Sequence, residues 1–352
     1  AVPTAVMVAS GKGAEMGILI KGGDILQRAG DIGTVVLDKT GTITEGRPAV
    51  TDVRLPAAVV LDEATLLQRV ASLERLSEHP LAEAIVREAA ARGLALVTPD
   101  AFQSVTGRGA HGVVQDTALV LGNAALLADW GVSTHPLDEA AAELAAAGKT
   151  PMFVAANGTL AGIIAVADPI RDSSRDAIAQ LHAMGLRVVM LTGDNERTAQ
   201  AIARAAGVDA VVAGVLPEGK VAEVQRLQQT GQVVAMVGDG INDAPALAQA
   251  DVGMAIGSGT DVAVDAGDIV LMRGDLHGVV RAIALSRRTM RTMKQNLFWA
   301  FIYNVIGIPV AAGALYPAFG LQLSPILASA AMAFSSVSVV ANSLRLRRAR
   351  FD

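Results

Sequence analysis

The chain has 352 residues, enough for two or three domains, and with 52% of them hydrophobic and a mean hydropathy of +0.43 it is too apolar for an ordinary cytosolic enzyme. A net charge of −5 and 3% aromatic residues exclude a nucleic-acid binder built on phosphate neutralisation or base stacking. The absence of cysteine excludes disulfides, zinc–thiolate sites and thiol catalysis within the chain, and the hydropathy places part of it in a lipid bilayer.

The first residue is Ala1, and Ala1 to Ser10 reads as the end of an apolar helix without a basic leader, as expected of a sequence that begins inside a membrane span. Residues 11 to 32 are polar and broken by glycine, which suits a stalk leaving the lipid. Thr34 to Leu37 is then a β-branched and apolar run that ends in Asp38, the pattern of a buried parallel strand delivering a side chain to its carboxyl end. A strand-tip aspartate is a metal ligand, a cap or a nucleophile. Lys39 adds a cation, and the hydroxyls and amides of Thr40, Gly41 and Thr42 suit a tetrahedral oxyanion, while a carboxylate needs no base to attack phosphorus.

An inserted domain is expected from residue 48 to 164. Leu66 to Leu76, Leu81 to Ala91 and Leu137 to Ala147 have helical apolar spacing, and Phe102 to Leu121 is strand-like and punctuated by glycine. Pro80 can open a helix at its first turn, leaving Glu78 and His79 in the loop before it, and Gly107 and Gly109 allow backbone to approach a flat ligand. Singly, these features are more often an ordinary surface histidine and a β-bulge.

The α/β pattern resumes at residue 165. Asp168 to Arg171 is expected to begin a helix, and the strand Arg187 to Leu191 ends in Thr192-Gly193-Asp194-Asn195, where Thr192 and Gly193 can serve a phosphoryl oxygen and Asp194 can cap the next helix. Lys220 follows Pro217 at a helix start, a position usually held by a free surface lysine. The strand Val233 to Val237 delivers Asp239, Asn242 and Asp243 between glycines, which suits a hard oxygen site for Mg²⁺. With strands at 252–256 and 269–272, this predicts a Rossmann-like parallel sheet with Asp38 and Asp239 on neighbouring strand tips.

Two uncharged stretches near the end, residues 297–316 and 326–344, are each long enough to cross about 30 Å of hydrocarbon. Arg287, Arg288, Arg291 and Lys294 precede them and Arg345, Arg347, Arg348 and Arg350 follow, which predicts that both ends face the cytosol. Tyr303 and Asn304 are adjacent in the first, while Met332, Ser335 and Ser336 lie a turn apart in the second.

The motifs DKTGT, SEHPL, TGDN and GDGINDAP, in this order, resemble the heavy-metal P-type ATPases, and YN with MxxSS in the final spans resembles their copper(I) branch. The resemblance covers essentially the whole chain. It implies an α/β, haloacid-dehalogenase-type phosphorylation domain (residues 21–47 and 165–285) carrying an inserted α+β nucleotide-binding domain (48–164). Residues 1–20 would be the end of a span and its stalk, and 286–352 a pair of transmembrane helices.

It further implies that Asp38 is phosphorylated by ATP, with Lys39, Thr40, Thr192, Gly193, Asp194, Lys220, Asn242 and Asp243 in support. Mg²⁺ would be held by Asp38, Asp239 and the Thr40 carbonyl, and the nucleotide by Glu78, His79, Gly107, Gly109 and Asn123. Cu⁺ would be met by Tyr303, Asn304, Met332 and Ser335 together with an upstream Cys-Pro-Cys that precedes Ala1, as would the family's actuator domain. The expected whole is a copper exporter of the plasma or inner membrane with cytoplasmic catalytic domains, served by a copper chaperone.

Two alternatives stay open. One is a pump for zinc or another divalent ion, although that branch would be expected to place a lysine and an aspartate in these spans. The other is a membrane-anchored phosphohydrolase, which usually carries a second aspartate where this chain has Thr40.

Overall fold

The computed structural model describes every residue except 1, 58–60, 195, 240–242, 258–264, 313, 315–324, 350 and 352. The chain begins with α1 (Val2–Glu15), β1 (Ile18–Ile20), α2 (Gly23–Gly30) and β2 (Ile32–Asp38). The inserted segment contributes β3 (Ala49–Arg54), α3 (Glu63–Glu74), α4 (Pro80–Ala91), β4 (Ala101–Val105), β5 (Gly109–Val114) and β6 (Thr117–Gly122). It continues through α5 (Ala124–Asp129), α6 (Asp138–Ala146), β7 (Thr150–Ala156) and β8 (Thr159–Ala167). After it come α7 (Asp172–Ala183), β9 (Arg187–Leu191), α8 (Glu196–Ala206), β10 (Ala210–Val212), α9 (Pro217–Gln228) and β11 (Val233–Gly238). The last elements are α10 (Ala244–Gln249), β12 (Val252–Ile256), β13 (Ile269–Leu271), α11 (His277–Ala311) and α12 (Pro325–Leu344).

These elements form two compact units, one of Ala1–Asp38, Asp176–Val189 and Leu216–Asp352, the other of Lys39–Arg175 and Met190–Val215. In the first unit, β13, β12, β11 and β2 lie side by side in parallel, and β1 closes the edge antiparallel to β13. The strands are apolar nearly throughout because helices cover both faces. Val35, Val36, Leu37, Val234, Ala235, Met236 and Val237 are wholly buried. Leu37 pairs in register with Val237, so Asp38 and Asp239 leave adjacent strands at the same end of the sheet.

Residues 18–20 were expected to be stalk, and instead they form this antiparallel edge strand. Three residues flanked by glycines are too short to reveal a strand by alternation.

In the second unit, β3-β8-β7-β6-β5-β4 make a six-stranded antiparallel sheet. Alternate residues of β8 feed separate cores. Ile164 packs with Leu66, Leu67, Val70 and Ile85 of α3 and α4, while Ile163 packs with Leu126, Leu127 and Leu144 of α5 and α6.

Asp168 to Arg171 does not begin a helix, contrary to expectation, because a residue preceding proline is steered away from the helical region and α7 opens only at Asp172. The segment is a clamp. Asp168 accepts from the Thr44 hydroxyl (2.5 Å) and the backbone amides of Gly46 and Arg47. The Arg171 guanidinium donates to the carbonyls of Thr44, Gly41 and Glu45, and the Ser174 hydroxyl donates to the Ile43 carbonyl.

The helix α11 includes residues 297–311 of the first expected span, and α12 begins one residue before the second. Among the described residues, no helix is long and apolar enough to cross a membrane. Near their antiparallel meeting, the Asn296 side-chain amide donates to the Ser343 hydroxyl and that of Asn342 donates to Asn296 Oδ1, each at 2.9 Å. Farther back on α11, the Arg287 guanidinium turns inward and donates to the Met184 carbonyl at 2.7 Å, and at longer range to those of Gly30 and Ile32.

Candidate functional site

At the strand tips of the first unit, the buried Lys220 ammonium donates to Asp38 Oδ1 at 2.7 Å and to Asp243 Oδ1 at 2.6 Å. Its position follows from the sequence. Pro217 opens α9, so Lys220 lies in the first turn of that helix. Gly238 makes room for Asp243, since a Cβ there would lie 2.2 Å from Asp243 Oδ2.

Burial, then the Asp243 charge, push the Asp38 carboxyl up to about 6 despite the attraction of Lys220, and the Asp239 charge adds to the rise. Burial likewise raises the Asp243 carboxyl. Burial opposes the Lys220 charge, but the two carboxylates more than offset it and hold its pKa above the ordinary lysine range. Asp38 and Asp243 share one ammonium and the Asp239 charge acts on both, a negative excess of oxygen donors that suits a divalent cation without forming a three-carboxylate cluster. Asn242 lies outside the described residues.

The second unit holds the rest of the expected phosphate residues. The loop after Asp38 is irregular, with Gly41 at φ 73°, a conformation glycine adopts without strain. Thr40 is exposed, and the buried Thr42 hydroxyl has no hydrogen-bond partner among the described residues. Lys39 pairs with Asp194 at 2.8 Å rather than standing free as a local cation. The Thr192 hydroxyl accepts from the Asp194 amide at 3.1 Å, and Gly193 is exposed, with the Val215 carbonyl oxygen 3.6 Å from where a Cβ would lie.

In the same unit, a cavity of about 510 Å³ opens between α4 and the sheet, lined by His79, Gly107, Gly109 and Asn123 among others. His79 caps α4, its Nδ1 accepting from the Leu81 amide at 3.2 Å, and Asn123 caps α5 by accepting from the Leu126 amide at 3.0 Å. Gly109 could not be another residue, because a Cβ would sit 2.0 Å from the Leu121 carbonyl oxygen.

Glu78 does not line this cavity, whereas Glu74, which sequence reasoning passed over, does. Glu74 is 6% exposed, and burial raises its pKa against a hydrogen bond from Ser77. The signal was available: Leu66, Leu67, Val70 and Glu74 share one stripe of α3, and a carboxylate on a buried stripe needs a reason.

The described residues do not assemble the expected copper ligands. Asn304 is exposed and donates back to the Ala300 carbonyl at 3.1 Å, Tyr303 and Ser335 are half-buried, and the side chain of Met332 lies outside the described residues. No group of three or more His, Cys, Asp or Glu suited to a metal occurs among the described residues.

A parallel sheet with a buried aspartate at one strand tip and a lysine bridging it to a second aspartate defines a class of aspartate-based phosphoryl chemistry. Residues 32–251 match the family described as haloacid dehalogenase-like hydrolase, and the chain belongs to that family, in its heavy-metal P-type ATPase branch.

Over 348 residues it is 57% identical to the probable copper-transporting ATPase PacS of Synechococcus elongatus, covering 99% of this chain and 46% of that protein. It is 53% identical to the probable copper-exporting P-type ATPase V of Mycobacterium tuberculosis, covering 99% of this chain and 44% of that one. The chain thus spans less than half the length of these relatives. Among solved structures, it superposes on a zinc-transporting PIB-type ATPase in the E2.Pi state with a TM-score of 0.87 and 38% identity, over 99% of this chain and 55% of the other.

Proposed function

We propose that the chain is the catalytic and C-terminal membrane portion of an ATP-driven Cu⁺ exporter that works through an aspartyl phosphate on Asp38. The observation that carries this reading is the Lys220 bridge between two buried strand-tip aspartates. With its carboxyl near 6, Asp38 is mainly ionised at pH 7, so it can attack without a base. An Asp38 oxygen forms the new bond to the γ-phosphorus, the bond from phosphorus to the bridging oxygen breaks, and ADP leaves with that electron pair.

Lys220 exchanges its carboxylate partners for the phosphoryl oxygens, and Thr192, Gly193 and Thr40 serve the same group. Asp38, Asp239 and the Thr40 carbonyl, with Asn242 and Asp243 in support, would hold Mg²⁺, which when bound would neutralise phosphate charge. Lys39 and Asp194 hold the loop through their ion pair. The adenine sits in the cavity of residues 48–164 against His79, Gly107, Gly109 and Asn123, with Glu74 in the place expected of Glu78.

Tyr303, Asn304, Met332 and Ser335 contribute part of a Cu⁺ path that residues elsewhere in the full protein complete. A soft monovalent ion suits the Met332 thioether, and the copper relatives at 53–57% identity outweigh the zinc structure at 38%. Two spans in a plasma or inner membrane, cytoplasmic catalytic units and delivery by a chaperone complete the proposal.

Asp38→Asn in the intact protein is expected to abolish acid-stable labelling from [γ-³²P]ATP while nucleotide binding survives. Persistent labelling would overturn the assignment. Activation by Zn²⁺ but not Cu⁺ would move the cargo to the zinc branch.

A further inference from the structure

From Leu276 to Phe351 the sequence contains no aspartate or glutamate, while arginine and lysine recur at both ends of the stretch. The structure divides these cations by use. Arg281 faces Asp275 at 3.5 Å and Arg287 is spent on backbone carbonyls, as described above. Arg288, Arg291 and Lys294 of α11 and Arg345, Arg347 and Arg348 of the final turn are all exposed, and among the described residues none of the six is paired with a carboxylate.

The two groups stand at one level. Asn296 is bonded to Ser343 and Asn342 across the antiparallel pair, so stepping back along α11 and forward along α12 reaches Arg291 and Arg347 together. The final turn is held in place, with Leu346 1% exposed and Phe351 packed on Ala9, Leu26 and Leu285. On the opposite side of the Asn296 junction, Phe298, Trp299, Phe301 and Val340 are 58%, 47%, 63% and 44% exposed. A fixed band of six cations therefore borders an apolar band that includes a tryptophan, which is the profile of a lipid headgroup boundary.

We propose that this band is a docking surface for anionic phospholipid headgroups, with the guanidiniums of α11 and of the final turn gripping phosphodiester oxygens from two sides. The inference rests on the membrane reading given under the proposed function. Arginine supplies five of the six cations and can meet two non-bridging oxygens at once, and a preformed surface without carboxylates selects an anionic headgroup over a zwitterionic one.

The test is lipid retention by the intact protein in native mass spectrometry, with phosphatidylglycerol and phosphatidylcholine offered in equal amounts. Wild type is expected to retain phosphatidylglycerol at least about tenfold over phosphatidylcholine. The variant R288Q/R291Q/K294Q/R345Q/R347Q/R348Q is expected to lose that preference, and the variant with lysine at the five arginine positions to keep most of it, which separates charge from packing. Equal retention of both lipids by wild type, or an unchanged preference in the glutamine variant, overturns the inference. Displacement of the lipid by millimolar glycerol 1-phosphate would mark a site for free phosphate and overturn it too. Failure of the intact protein to float with phosphatidylcholine vesicles is a separate result, and it would sink the membrane reading itself.

Discussion

Among the described residues Lys220 is the only cation bonded to Asp38 and Asp243, and Lys220→Met leaves two buried carboxylates facing each other. Oxygens that share one ammonium at 2.7 and 2.6 Å are no more than about 5 Å apart, so at an effective dielectric near 20 their repulsion is about 3 kcal/mol. The variant can escape part of this by taking up a proton on Asp38, which at pH 7 costs about 1.4 kcal/mol for a carboxyl at about 6 and less once the ammonium is gone. Adding the lost charged hydrogen bonds, the expected destabilisation at pH 7 is about 2–3 kcal/mol, below the ~3–5 kcal/mol typical of a broken buried pair.

The sign with pH follows from the raised pKa. The contribution of Asp38 to stability is complete below its unfolded value and is lost as pH rises through the folded value near 6. Without Lys220 the folded value lies higher, so the deficit of the variant should grow between pH 5.5 and 8. Urea denaturation of the full chain in detergent, followed by circular dichroism, reads this difference with the other titrating groups cancelled. Adding Asp243→Asn should restore at least about 1 kcal/mol at pH 8. A deficit equal at both pH values, or no recovery in the double variant, would refute the electrostatic account.

Gly109→Ala should sharply lower the melting temperature of the inserted lobe and abolish nucleotide binding, whereas Gly107→Ala, with φ +69° but open space around it, should cost about 1 kcal/mol and leave binding within a few-fold. Calorimetric titration with ATP distinguishes the two. Glu74→Gln should slightly raise lobe stability at pH 8 by removing a buried charge, while reducing ATP affinity about tenfold; loss of stability without loss of affinity would make Glu74 a packing residue only. Asp168→Ala deletes three accepted hydrogen bonds, two of them from backbone amides, and should cost about 3 kcal/mol and expose residues 44–47 to limited proteolysis.

The catalytic sheet was legible because its strands are continuous apolar runs that stop at aspartates. The strands 187–191, 233–237 and 252–256 stand where periodicity and punctuation put them. Asp38 and Asp239 on adjacent tips follow from the same pattern. Partnerships were not legible. Nothing in DKTGT says that Lys39 reaches 155 residues ahead to Asp194, or that Lys220 spans Asp38 and Asp243, since such pairs are set by how loops fold onto strand ends. Glu74 was legible in principle, since a carboxylate at that spacing interrupts a stripe of α3 that otherwise reads as core, but nothing in the sequence says that the stripe borders a cavity. The clamp at 168–171 was hidden because an Asp-Pro pair ahead of a helical pattern suits a helix start as well as an extended turn.

The Asp168 and Arg171 clamp has one more consequence. It binds the outgoing and returning strands of the inserted lobe to each other, with Ile43 to Arg47 on one side and Asp168 to Ser174 on the other, so the two crossings act as one joint rather than as two independent cords. Insertions beyond that joint lengthen the lobe without disturbing its anchorage. The same feature marks where a genetic excision should be made: a short turn joining residues 47 and 168 would leave the anchor whole.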